Sequence, residues 1–116
     1  MLNSVAFVQG VYFMFTGGWP LVSVDTFVEA TGPKTDIWLV KAVGVAVAAM
    51  GAALLVAGMR SDFTPAIILL GVGSALGLAC IDIFYVMKRV IAPVYLGDAV
   101  IQTVLISWWA ATLAEM

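Results

Sequence analysis

The chain has 116 residues, of which 64% are hydrophobic and 10% are charged. An average soluble domain carries about 25% charged residues, so this composition excludes an ordinary water-soluble globular domain. The formal net charge of -2 and the scattered basic residues exclude a nucleic-acid-binding face, which needs clustered Lys and Arg. Histidine is absent and Cys80 is the single cysteine, so we predict no metal site, no disulfide and no cofactor.

Four segments are long and apolar enough to cross a bilayer, whose hydrocarbon core takes about 20 helical residues. The predicted spans lie at about residues 2–17, 37–59, 65–87 and 92–114. The first span has an alternative, because a secretory signal peptide is also short, apolar and N-terminal. A signal peptide needs a basic start, whereas no Lys or Arg precedes Lys34, and this favours a retained span.

The segment between the first two spans, residues 21–31, has a different pattern. Its apolar residues fall on one side of a helix and its polar residues largely on the other: Leu21, Val24, Phe27 and Val28 against Ser23, Asp25, Thr26 and Glu29. Because the segment ends at Gly32 and Pro33, the pattern predicts a short interfacial helix. The alternative is an irregular loop.

The connections between spans are short, and this predicts that successive helices pack antiparallel. The expected fold class is therefore all-α, an integral membrane up-down-up-down four-helix bundle forming one domain over residues 1–116. Small residues share one face of the second span, at Gly44, Ala48 and Gly51, and one face of the third, at Gly71 and Ala75. Since close backbone packing replaces the hydrophobic driving force in lipid, these faces predict helix contacts.

The basic residues predict the orientation of the chain. Lys34, Lys88 and Arg89 lie at one end of the spans, with Lys41 just inside it, and Arg60 lies alone at the other end. Because Lys and Arg are retained on the cytoplasmic side, both termini are expected outside.

The spans carry three intramembrane charges. At 1.5 Å per helical residue, Lys41 lies about 7 Å inside the cytoplasmic boundary, and Asp82 and Asp98 about 9 Å inside. Buried charges normally face the protein interior and are paired, so we predict that Lys41 lies between the two aspartates. Asp98 is then the surplus acid, which holds a proton or leaves a place for a cation. The alternative is a purely structural layer, with Lys41 extending to the interface.

Polar residues at the same depth complete the predicted site. Tyr12 and Gln9 lie in the first span, Tyr85 follows Asp82 by three residues, and Tyr95, Asp98 and Gln102 follow helical spacing in the fourth span. The candidate ligand- or proton-binding residues are Gln9, Tyr12, Lys41, Asp82, Tyr85, Tyr95, Asp98 and Gln102.

These residues predict an intramembrane polar pocket that binds a small ligand, an ion or a lipid head group and is coupled to proton movement. Two other functions stay open: a membrane enzyme that uses the Asp pair for acid/base chemistry on a lipid or isoprenoid, and an accessory subunit of a larger membrane complex. The expected partners are the lipid bilayer and a homo-oligomer or larger membrane complex, without nucleic acid.

The sequence TGPKTDIWLVKAVG at residues 31–44 is accompanied by QGVYF near the start and by IDIFYV and PVYLGDA later. With these segments the chain resembles a group of small four-span bacterial integral membrane proteins of uncharacterised function. The resemblance covers nearly the whole chain and implies a multi-pass protein of the bacterial inner membrane. It implies no activity.

Overall fold

The computed structural model of the protein describes residues 2–115, and within that range the secondary structure consists of five α-helices. These are α1 (Leu2–Val22), α2 (Val24–Thr31), α3 (Ile37–Arg60), α4 (Pro65–Met87) and α5 (Tyr95–Ala114). All except α2 are long and apolar enough to cross a membrane. The chain therefore has the elements of an all-α, multi-pass membrane protein.

Helix α1 is longer than the sequence predicts. It continues through Gly17, Gly18 and Pro20 to Val22, so the expectation that the first span ends near Gly17 is wrong. A proline inside a helix removes one backbone hydrogen bond, but here the last turns of α1 pack against α3. The 21 residues of α1 extend about 31 Å, which is enough to cross the hydrocarbon core.

Glycines hold α1 and α3 together along their length. A Cβ atom at Gly10 would lie 2.7 Å from the carbonyl oxygen of Gly51, and one at Gly17 would lie 2.6 Å from that of Gly44. A Cβ at Gly58 would meet the backbone nitrogen of Phe7 at 3.0 Å. The two backbones therefore touch at intervals of about two turns, and the prediction of helix contacts at Gly44 and Gly51 is confirmed.

A second set of contacts, a buried cluster, joins α1, α4 and α5. The Trp109 ring covers Gly71, where a Cβ atom would lie 2.5 Å from Trp109 Cζ2. Trp109 Nε1 donates a hydrogen bond of 2.6 Å to Gln9 Oε1, and Gln9 Nε2 donates one of 2.9 Å to the carbonyl oxygen of Gly71. All the polar atoms of the Gln9 side chain are thus used inside this cluster.

Helix α2 folds back on the end of α1. Ser23 caps it by accepting a hydrogen bond from the backbone nitrogen of Thr26. Trp19 Nε1 donates to Thr26 Oγ1 at 3.0 Å, and the Trp19 ring meets the Phe27 ring edge-on at 5.5 Å. The segment is therefore helical, and the alternative of an irregular loop is wrong.

The other helices begin and end close to the positions that the sequence predicts. Helix α3 ends one residue later than predicted, at Arg60, where Ser61 adopts a left-handed conformation with φ 53°. Helix α4 has the predicted bounds, and Thr64 caps it ahead of Pro65. Helix α5 starts three residues late, because residues 88–94 form turns that include Arg89 with φ 60°.

Candidate functional site

A cavity of about 770 Å³ opens between the α1–α3 pair and the α4–α5 pair, at the end of the molecule where α2 lies. The glycine contacts draw α3 onto α1, and α3 makes few contacts with α4, so the two pairs separate there. Val40, Val43 and Val47 form the α3 wall, and Leu78 and Ile81 form the α4 wall. The size is that of a small-molecule site, for which volumes of about 300–1,000 Å³ are usual.

Two carboxyl groups lie together in the cavity lining. Asp82 and Asp98 come from α4 and α5, and both side chains line the cavity, where their charges act on each other. The Tyr12 hydroxyl donates to Asp98 Oδ1. Gln102 Nε2 donates to Asp98 Oδ1 at 3.2 Å and to Oδ2 at 3.4 Å. Asp98 is therefore well supplied with donors.

The lining also contains two buried acceptors that lack donors. Asp82 Oδ2 and Gln102 Oε1 have no hydrogen-bond partner within residues 2–115, although the two residues are only 5% and 1% exposed. When Asp98 is ionised the Gln102 amide cannot be reversed to correct this, because its nitrogen faces a carboxylate, which only accepts. Leaving a buried acceptor unpaired costs about 1–3 kcal/mol, so the site is suited to receive donors.

Lys34 lies at the mouth of the cavity. Its Nζ donates to the carbonyl oxygen of Gly32 at 3.0 Å and to the carbonyl and hydroxyl oxygens of Thr31 at 3.2 Å each. It also lies 5.3 Å from the centroid of the Tyr95 ring. Sequence reasoning treated Lys34 only as a charge that sets orientation. The sequence signal that could have placed it here is the Gly32-Pro33 pair directly before it, which predicts a turn.

The predicted site residues divide into two groups. Those that line the cavity are Tyr12, Asp82, Tyr95, Asp98 and Gln102. Gln9 is buried in the Trp109 cluster instead, and Tyr85 points outward, with its ring against Phe84 at 5.0 Å. Lys41 is exposed. The sequence analysis missed Trp19, Phe27 and Lys34, which line the mouth.

The predicted position of Lys41 between the aspartates is wrong. Lys41 lies about 100° from Val40 and about 160° from Val43 around the axis of α3, while both valines face the cavity. Within residues 2–115 the structure forms no ion pair between Lys41 and a carboxylate. Asp98 accepts hydrogen bonds from Tyr12 and Gln102, whereas Asp82 Oδ2 has no partner within residues 2–115, and the assignment of Asp98 as the surplus acid stays a prediction.

Comparisons of the chain with protein-family models, curated proteins and solved structures find no match. The resemblance of residues 31–44 and the accompanying segments to small bacterial four-span proteins thus stays a prediction. Within residues 2–115, no group of three or more His, Cys, Asp or Glu side chains is placed to hold a metal ion. The chemistry of the site is that of a carboxyl pair and an amide facing an apolar cavity.

Proposed function

We propose that the protein binds a small amphipathic ligand within the membrane. The observation that carries this proposal is the pair of buried acceptors without donors, Asp82 Oδ2 and Gln102 Oε1, beside a cavity of about 770 Å³. A hydrogen-bond donor on the ligand would pair with these oxygens once the Asp82 and Gln102 side chains turn toward it, because both atoms are covered in the structure. Its apolar body would lie along the valine wall of α3. The Asp82–Asp98 pair would hold a proton when the ligand is absent, which couples binding to proton movement.

In this proposal the four long helices cross the membrane in alternating directions, as an up-down-up-down bundle. Helix α2 lies in the interface, because Asp25 and Glu29 are exposed while Phe27 and Val28 are partly buried. The end that carries Lys34, Lys88 and Arg89 faces the cytoplasm of a bacterial inner membrane, and both termini lie outside. Movement of the ligand across the membrane would involve a homo-oligomer or a larger membrane complex.

Cysteine labelling tests this orientation. In a Cys80→Ser background, a membrane-impermeant maleimide applied to intact cells is expected to label Asp62→Cys, which lies in the α3–α4 connection. Thr35→Cys, before α3, is expected to react only after the cells are opened. Both positions are exposed, so a difference in labelling between them reports which side of the membrane each one occupies. The reverse labelling pattern would contradict the orientation.

Site-specific protection tests ligand binding. Val43 and Val45 are similarly exposed, at 52% and 55%, but only Val43 lines the cavity. In the test, Val43→Cys and Val45→Cys are introduced separately into the Cys80→Ser protein. The rate at which each cysteine reacts with N-ethylmaleimide is then measured in lipid nanodiscs. The probe is 4-phenylbutan-1-ol, which has one hydroxyl donor and an apolar body. It is expected to slow modification of Val43→Cys by up to about sixfold at a concentration of about five times its Kd.

The Val45→Cys protein is the matched control. The probe also partitions into lipid, and any effect of that partitioning acts on both cysteines, so modification of Val45→Cys should change little. Equal rates with and without the probe at both positions, or equal slowing at both, would contradict a ligand site in the cavity.

A further inference from the structure

We propose that the ligand is a lipophilic primary or secondary amine, bound as its ammonium ion with the nitrogen at Asp82 and Gln102. This inference rests on the proposed function and names the class of molecule that the cavity takes. It follows from the charge of the site, the type of hydrogen bond that the site lacks, and the lining of the cavity.

The charge of the site favours a cation. Asp82 and Asp98 lie side by side, and within the described residues no basic side chain is paired with either of them. Lys41 is on another face of α3, and the Lys34 ammonium is engaged with Thr31 and Gly32 at the mouth. An ammonium ion at Asp82 would supply the positive charge that the sequence analysis expected Lys41 to place beside the aspartates.

The missing hydrogen bonds favour an N–H group. Asp82 Oδ2 and Gln102 Oε1 are both acceptors, so a bound ligand must donate to satisfy them. A protonated primary amine carries three N–H donors and a secondary amine two, so either can donate to Asp82 Oδ2 and keep an N–H for a second acceptor. A quaternary ammonium ion has the same charge but no donor, and would leave both acceptors unpaired.

The rest of the lining favours an apolar body behind the ammonium group. Val40, Val43 and Leu78 offer hydrocarbon, and Tyr12 offers an aromatic ring that attracts cations. A bare metal ion is less well matched, because hard cations take about six to eight oxygen ligands and most of this lining is hydrocarbon. Asp36 and Lys34 both lie at the mouth, where their opposite charges offset each other.

A series of probes with one body and different head groups tests the assignment. The probes are 4-phenylbutylamine, 4-phenylbutan-1-ol and trimethyl(4-phenylbutyl)ammonium, titrated at pH 7 by calorimetry into the protein in phosphatidylcholine nanodiscs, with empty nanodiscs as the blank. The primary amine is expected to bind about tenfold tighter than the alcohol and than the quaternary ion. Asp82→Asn is expected to weaken amine binding about tenfold and alcohol binding by less than about twofold.

Asp62→Asn is the matched control, since it removes the same charge at an exposed position in the α3–α4 connection. It should leave the affinity for all three probes unchanged. Retained alcohol binding shows that Asp82→Asn has kept the cavity folded. Equal wild-type affinities for amine and alcohol would overturn the amine assignment but leave the cavity as a ligand site. Equal affinities for the amine and the quaternary ion would overturn the N–H requirement. If no probe binds saturably, both the amine assignment and the proposed function fail.

Discussion

Gly17→Ala is expected to unfold much of the protein in detergent, whereas Gly18→Ala at the next position is expected to leave it folded. A Cβ at Gly17 would lie 2.5 Å from the backbone nitrogen of Ala48 and 2.6 Å from the carbonyl oxygen of Gly44. These are backbone atoms, so no change of side-chain rotamer can relieve the contact. At Gly18 a Cβ meets nothing within 4 Å.

The expected loss for Gly17→Ala is about 3 kcal/mol or more, at the upper end of the range for overpacking, because whole helices must separate. Gly18→Ala should gain up to about 1 kcal/mol, since Ala favours a helix more than Gly does. Thermal unfolding in a mild detergent, followed by circular dichroism, measures both variants. Similar melting temperatures for the two variants would show that α1 and α3 do not touch through Gly17.

The same substitution at the two aspartates is expected to have opposite effects on stability. Asp98→Leu removes the acceptor of the Tyr12 hydroxyl and of Gln102 Nε2, and leaves these donors unpaired. With about 1–3 kcal/mol for each of the two unpaired groups, the expected loss is about 2–6 kcal/mol. Asp82→Leu removes a buried carboxyl group whose Oδ2 has no hydrogen-bond partner within residues 2–115. It is expected to leave the protein as stable as the wild type or more stable.

Both variants lose one negative charge and gain the same side chain, so each is the control for the other. In detergent at neutral pH, the midpoint of thermal unfolding of Asp98→Leu should lie below the wild-type value. The midpoint of Asp82→Leu should lie at or above it. If Asp82→Leu is the more destabilised of the two, Asp82 has a donor and the roles assigned to the two acids are reversed.

The sequence alone determined the class of the protein and the level of its polar groups along the helices. Apolarity and length are local properties, and a bilayer accepts only segments that have enough of both, so the bounds of α4 and nearly those of α3 could be read directly. Depth follows from counting residues at a fixed rise along a helix. That count placed Tyr12, Asp82 and Asp98 at one level, and in the structure Tyr12 and Asp82 lie beside Asp98.

Only the tertiary structure decided which faces of the helices meet. The rotation of α3 is set by how closely Gly44 and Gly51 allow it to approach α1, and that rotation turns Lys41 away from the aspartates. The close packing of α3 on α1 also keeps α1 helical past Gly17, where the local sequence predicts that the helix ends. It also opens the cavity and leaves Asp82, rather than Asp98, without a donor. These outcomes depend on contacts between residues far apart in the chain. They cannot be predicted from the spacing of residues within one helix.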